Sequence, residues 1–142
     1  MELNVEWLDR NTNKLPYFTL AGTDELYRKA MKHLEVPYPA AWFSNPERQG
    51  AVCHFYENPQ GDTVCVVALD ILKSLHRDQV EVLAMLVHEA SHIVETHFED
   101  FGEKNPASEQ RAYALQYVSE ELFAEYRRQK EALTGRALKK KR

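Results

Sequence analysis

Between Val80 and Val94 the chain reads Val-Glu-Val-Leu-Ala-Met-Leu-Val-His-Glu-Ala-Ser-His-Ile-Val. This is an apolar, helix-forming run with two histidines four residues apart. On a helix, residues at that spacing stand one above the other on one face, so His88 and His92 can offer ring nitrogens to a single ion. Zinc accepts such ligands and, in hydrolytic sites, keeps one coordination position for water. Glu89 follows the first histidine directly, where it can take a proton from that water. Chance also produces the bare pattern. The segment Val80–Val87, however, holds a single charged residue, Glu81. A carboxylate and two imidazoles placed against so apolar a run are costly to bury without a purpose. The feature therefore calls for a long helix, for a core beneath it, and for a metal, Zn2+, at the point where it meets solvent.

The rest of the chain must supply that core. Its 142 residues, 44% of them hydrophobic and 28% charged, suit one globular domain. No apolar stretch approaches the ~18–20 residues that span a bilayer, so no membrane partner is expected. The acidic start Met-Glu-Leu-Asn-Val-Glu-Trp has no signal-peptide pattern, and the expected location is cytoplasmic. Cys53 and Cys65 can face one another across a hairpin, but in that compartment they are expected to stay reduced. The net charge is −4, and five basic residues fall within 136–142, so residues 1–135 carry −9. An acidic body argues against binding along a nucleic-acid backbone. The tail, with Lys139-Lys140-Lys141-Arg142, is expected to be a solvated, disordered end.

Residues 1–22 show no sustained period and are read as a short strand with loops. A first helix follows. Thr23 can cap it, Asp24 and Glu25 suit its first turn, and Tyr27, Ala30, Met31 and Leu34 fall on one face. Pro37 and Pro39 end it. Ala51–Tyr56 and Thr63–Leu69 are strand-like and separated by Glu57-Asn58-Pro59-Gln60-Gly61-Asp62, a hairpin pattern. The second run is apolar on both faces and is predicted to be an inner strand, and the first an edge strand. Such an edge beside a metal-binding helix can hold an extended peptide by main-chain hydrogen bonds. Leu72–Arg77 connects to the long helix, which Asp78 caps and Gly102 stops. Its first two turns are apolar nearly all round, as in a helix buried beneath a sheet. Asn105-Pro106 then restarts the chain as a cap and a first helical residue. A third helix runs from about Ala107 to Ala132, with Ala112, Leu115, Ser119, Leu122 and Tyr126 toward the core, and ends at Leu133-Thr134-Gly135.

Two imidazoles leave zinc short of a protein ligand. His97 lies about 140° round a continuous helix from His92 and points away. The related pattern with a third histidine turns at a glycine that is Glu95 here. Glu95 is better placed to bond the outer nitrogen of a ligand. Glu99 is a further acid on the same helix. Glu109 begins the next helix after a short Gly-containing turn and can meet the pair, although a first-turn acid also simply suits the helix dipole.

The run from Leu86 to Val94, followed by Gly102-Glu-Lys-Asn-Pro-Ala-Ser-Glu-Gln-Arg-Ala-Tyr113, resembles the small zinc metallopeptidases encoded by bacteriophages and prophages. The Ala51-Val-Cys-His-Phe-Tyr and Val64-Cys-Val-Val-Ala strands fit as well, and the similarity spans roughly residues 40–126. The resemblance implies a minimal zincin-like domain acting in a bacterial host cell. It also implies His88, His92 and Glu109 as metal ligands and Glu89 as catalytic carboxylate, a gluzincin-like set. Many gluzincins carry an acid four residues after the distant glutamate. This chain has Tyr113 there, so a ligand histidine must be supported differently.

The reading is then one α+β domain over residues 1–135: a small antiparallel sheet packed on a central HExxH helix with two further helices. Its expected activity is zinc-dependent peptide-bond hydrolysis on a peptide or protein substrate, with Glu89 as general base. A donor for the developing oxyanion is also needed. Tyr113, one turn from Glu109, is the first candidate and His54 on the edge strand the second. Each also suits a purely structural role, as a core aromatic and an outward strand residue. The alternative is a non-catalytic, zinc-stabilised phage protein that grips a host protein.

Overall fold

A strand that is apolar on both faces has to be covered on both, and Val64–Leu69 dictates the layering. The computed structural model describes residues 3–8 and 17–140, the last five by backbone alone. In chain order the elements are β1 (Tyr17–Ala21), α1 (Asp24–His33), β2 (Ala51–Glu57), β3 (Thr63–Leu69), α2 (Ile71–Ser74), α3 (Gln79–Asp100) and α4 (Ser108–Lys140). The architecture is mixed α+β, with a three-stranded sheet ordered β1-β3-β2. β3 is the inner strand, as its composition requires, and β2 is an edge. Phe18, Leu20, Cys65, Val67 and Leu69 face α3 and α4. Val64, Val66 and Tyr56 face α1 on the other side. The sheet is thus sandwiched between one helix and two.

The sheet is not purely antiparallel. β2 and β3 form the predicted hairpin, from Ala51↔Leu69 to Glu57↔Thr63, but β1 runs parallel to β3, from Tyr17↔Val64 to Ala21↔Ala68. The hairpin direction is written in its turn: Asn58 Oδ1 accepts from the Gln60 and Asp62 amides, and Gly61 takes φ +86°. No turn links β1 to the sheet, because a helix and a long loop intervene, so its direction has no local signature.

Capping residues behave as their chemistry predicts. Thr23 accepts from the Leu26 amide and Asp78 from that of Val80. α3 stops at Gly102, φ +69°, where the Gly102 and Glu103 amides bond the Glu99 and Phe98 carbonyls. α1 ends in the same way at Glu35, φ +56°, ahead of the prolines. The amides of Glu35 and Val36 bond Lys32 and Met31 there.

Three readings of the helices change. α3 is not buried all round: Val82, Leu86, Ala90 and Ile93 are in the core, whereas Val80 is 75% exposed and Leu83 and Val87 are exposed beside it. Only one flank meets the sheet and α4. α4 begins at Ser108, with the Ala107 carbonyl taking its first bond, and its core stripe is Val118, Ser119, Leu122 and Tyr126, with Leu115 half-buried and Ala112 exposed. α4 also passes through Gly135 to Lys140 instead of ending at residues 133–135. Gly135 has no positive φ, and without one a glycine only weakens a helix, by about 1 kcal/mol relative to Ala, rather than ending it. The side chains of the basic tail, and residues 141 and 142 entirely, lie outside the described residues. No described helix is long and apolar enough to cross a membrane.

Gln129, 1% exposed, ties α4 to the end of β1. Its Nε2 donates to the Leu20 carbonyl at 2.7 Å and to Glu125, and its Oε1 accepts from the Gly22 amide at 3.0 Å. A Cβ on residue 22 would stand 2.3 Å from that oxygen, so the close approach requires glycine. Gln129→Ala leaves two buried main-chain groups unpaired above a cavity. It is expected to lower the unfolding free energy by about 3 kcal/mol or more, measured by urea denaturation; a loss under about 1 kcal/mol, the net worth of one ordinary hydrogen bond, would show that the clamp is dispensable.

Candidate metal centre

The rotation of α3 about its own axis decides what each residue of the motif can do. With Leu86, Ala90 and Ile93 in the core, His88 and His92 fall on the outer face and Glu89 on the flank toward β2. The two imidazoles converge. Their Nε2 atoms are 3.3 Å apart and the rings stand edge to face, with centroids 5.0 Å apart. Two donors each about 2.0–2.1 Å from one tetrahedral zinc ion stand roughly 3.3–3.4 Å apart. The two rings, hydrogen-bonded to each other here, therefore stand at the spacing of two ligands on one ion.

Glu89 is buried, 6% exposed, and no Lys or Arg pairs with it among the described residues. Its neighbour is Cys53 of β2, whose Sγ–H donates to the Glu89 main-chain oxygen at 3.5 Å. The Cys53 thiol is held far above the ordinary cysteine range, first by hydrogen bonding to Cys65, then by burial, and also by the charge of Glu89. Cys65 lies diagonally across the hairpin on the same face, and both cysteines are free thiols. Glu89 is thus flanked by a neutral, protonated sulfur, and no cation neutralises it. A buried carboxylate without a counter-charge costs stability, and this one stands beside two convergent imidazoles.

The other expected residues are placed differently. α4 starts only eight residues after α3 ends and bonds Gln79, in the first turn of α3, through Tyr126 and Lys130, so the two helices run antiparallel. Counting along both helices from that point, the part of α4 level with His92 is about residues 113–117, at equal rise per residue. Tyr113, 66% exposed, falls within this window. Glu109 lies farther on, in the exposed first turn of α4. Among the described residues no group of three or more His, Cys, Asp or Glu side chains gathers to hold an ion, so Glu109 does not join the imidazoles here. Glu95 is exposed and bonds neither ring.

His54 is on the opposite face of the sheet. Its register partner is Val66, its ring packs edge-on against Tyr27 at 4.9 Å, and its Nε2 bonds the Trp42 carbonyl at 3.0 Å. Strand alternation explains this: once Cys53 faces α3, His54 must face α1. It cannot donate to an oxyanion over His88 and His92. Cys53 was the residue that sequence reasoning missed. Its signal was the same alternation, which became readable only when the face of β2 meeting α3 was known.

No family model, no curated protein and no solved structure matches this chain. The chemistry of the centre therefore stands on its own geometry.

Removing either imidazole should abolish the convergence. His88→Ala and His92→Ala are each expected to weaken Zn2+ binding by at least about 100-fold relative to wild type, measured by competition with a chromophoric chelator on protein purified without a histidine tag. Wild-type affinity in either variant would rule out the pair as the ligand core.

Proposed function

We propose that the protein is a zinc-dependent hydrolase acting on peptide bonds, related to the small phage-encoded metallopeptidases that its motif resembles, with a minimal zincin-like domain working in the bacterial host cytoplasm. The observation that carries the reading is the 3.3 Å approach of His88 and His92 Nε2 beside a buried, cation-free Glu89. The imidazole pair fits one ion. Glu109, apart from the pair in this structure, would supply the third protein ligand in this reading by a shift of the exposed start of α4 about the exposed connection 101–105.

When bound, zinc supplies Lewis acidity and lowers the pKa of water at its open position toward ~7. The remaining work belongs to the chain. The free edge of β2 pairs with the main chain of an extended substrate and lays it along α3. Glu89 accepts the proton of the attacking water and returns it to the departing amine. Its burial against a neutral thiol keeps it free of competing cations. Tyr113, level with His92, donates from its phenol to the oxygen that gains negative charge.

The alternative, a metal-stabilised module that grips a host protein, has no use for Glu89 as a base. Glu89→Gln decides between them because it keeps the shape of the side chain while removing the acceptor. Zn2+ affinity should stay within about threefold of wild type while hydrolysis of a mixed peptide library falls by at least about 100-fold. Hydrolysis that survives unchanged would falsify the mechanism. A zinc-loaded wild type that cleaves nothing, but binds a host protein as tightly as the Glu89→Gln variant does, would favour the alternative.

A further inference from the structure

A second feature lies one turn before the motif. A cavity of about 280 Å³ opens beyond Leu69, at the carboxyl end of β3 next to the parallel strand β1, the position at which sheets with parallel strands commonly receive ligands. Trp42, Phe43 and Met85 line it, and Lys73 and Arg77 add charge. The aromatic wall is fixed: the Trp42 indole donates to the Ala21 carbonyl at 3.1 Å and packs against Phe43 with centroids 4.8 Å apart.

Two acids, Asp24 and Asp70, also line the cavity, but both are engaged. Asp24 pairs with Arg28, and Asp70 accepts from the Lys73 amide as the cap of α2. The cations are less committed. Arg77 reaches Glu81 and the Met85 sulfur through Nη1 alone, which leaves Nη2 and Nε unused. The Lys73 ammonium has no acceptor among the described residues. The four lining charges cancel overall, but the donors left without an acceptor among the described residues, the Lys73 ammonium and Arg77 Nη2 and Nε, are cationic and stand beside an apolar and aromatic wall.

The cavity is also joined to the metal centre. Met85 precedes Glu89 by one turn of α3, about 6 Å along the axis. Gly50, packed against Met85, precedes Cys53 by about 10 Å of strand. An extended peptide covers that span with two or three residues, at ~3.3 Å each.

We propose that this cavity is a specificity subsite for a carboxylate, carried by the substrate two or three residues from the bond held over Glu89, with the adjoining apolar or aromatic part of the ligand against Trp42 and Phe43. The proposal rests on the hydrolase reading. The carboxylate can be an Asp or Glu side chain or the end of the substrate chain.

The test separates the site from the chemistry by measuring binding without turnover. In a Trp7→Phe, Glu89→Gln background, Trp42 is the remaining tryptophan, and its fluorescence reports the cavity. Two peptide pairs are titrated: blocked hexapeptides with internal Glu or Gln, and the same peptide with a free or amidated C-terminus. The member bearing the carboxylate should bind at least about tenfold tighter in one of the pairs, as expected for a charge-assisted hydrogen bond, and the pair that responds identifies the source. Lys73→Gln combined with Arg77→Gln should erase the difference while leaving the neutral peptides unchanged. Equal binding of acid and neutral members, or a difference that survives the double substitution, overturns the proposal. Retained discrimination in a protein whose wild type cleaves no peptide would remove the hydrolase reading and leave the carboxylate site standing.

Discussion

Everything at the candidate centre depends on how α3 is seated. Leu86, Ala90 and Ile93 are wholly buried against the sheet and α4, and that apolar contact fixes the rotation of the helix. At ~100° per residue, the same seating sends His88 and His92 outward together and turns Glu89 into the flank beside β2. A slip by one residue would bury the imidazoles in one direction and expose the carboxylate in the other. The hydrophobic contact therefore does more than stabilise the domain: it decides which positions of one pentapeptide face solvent and which face β2.

The sheet completes the assignment through its own alternation. Cys53 meets Glu89 because odd-numbered positions of β2 face α3, and His54 is therefore drawn into the Tyr27–Tyr56 layer on the far side. Tyr27 and Tyr56 are joined by their hydroxyls at 2.6 Å, and burial, followed by that bond, pushes the Tyr27 phenol well above the ordinary tyrosine range. These groups secure the loop that carries Trp42, since Tyr27 donates to Ala40 and His54 bonds Trp42. One face of the strand thus borders the candidate metal centre while the other holds the wall of the adjoining cavity.

Local signals in the chain were legible, and relations between distant segments were not. Thr23 and Asp78 cap helices and Gly102 stops one because side-chain oxygens and a left-handed glycine act within a few residues. The doubly apolar β3 is inner for an equally local reason. The direction of β1, the face of His54 and the position of Glu109 all depend on packing between elements far apart in sequence, for which no residue pattern is diagnostic. Gly135 misled because a glycine stops a helix only in the left-handed conformation, a property of its surroundings. The motif itself was legible down to the convergence of its imidazoles, since a single helix sets that geometry.

The central claim is that one ion binds between His88 and His92 with the open coordination that hydrolysis needs. X-ray absorption at the zinc K-edge, on full-length protein loaded with one equivalent of Zn2+, reads the ligand set directly. The account predicts two imidazoles at about 2.0–2.1 Å with oxygen donors filling the remainder, and a change in the oxygen shell when Glu109 is replaced by Gln. A spectrum with sulfur ligands, or with fewer than two imidazoles, would contradict it.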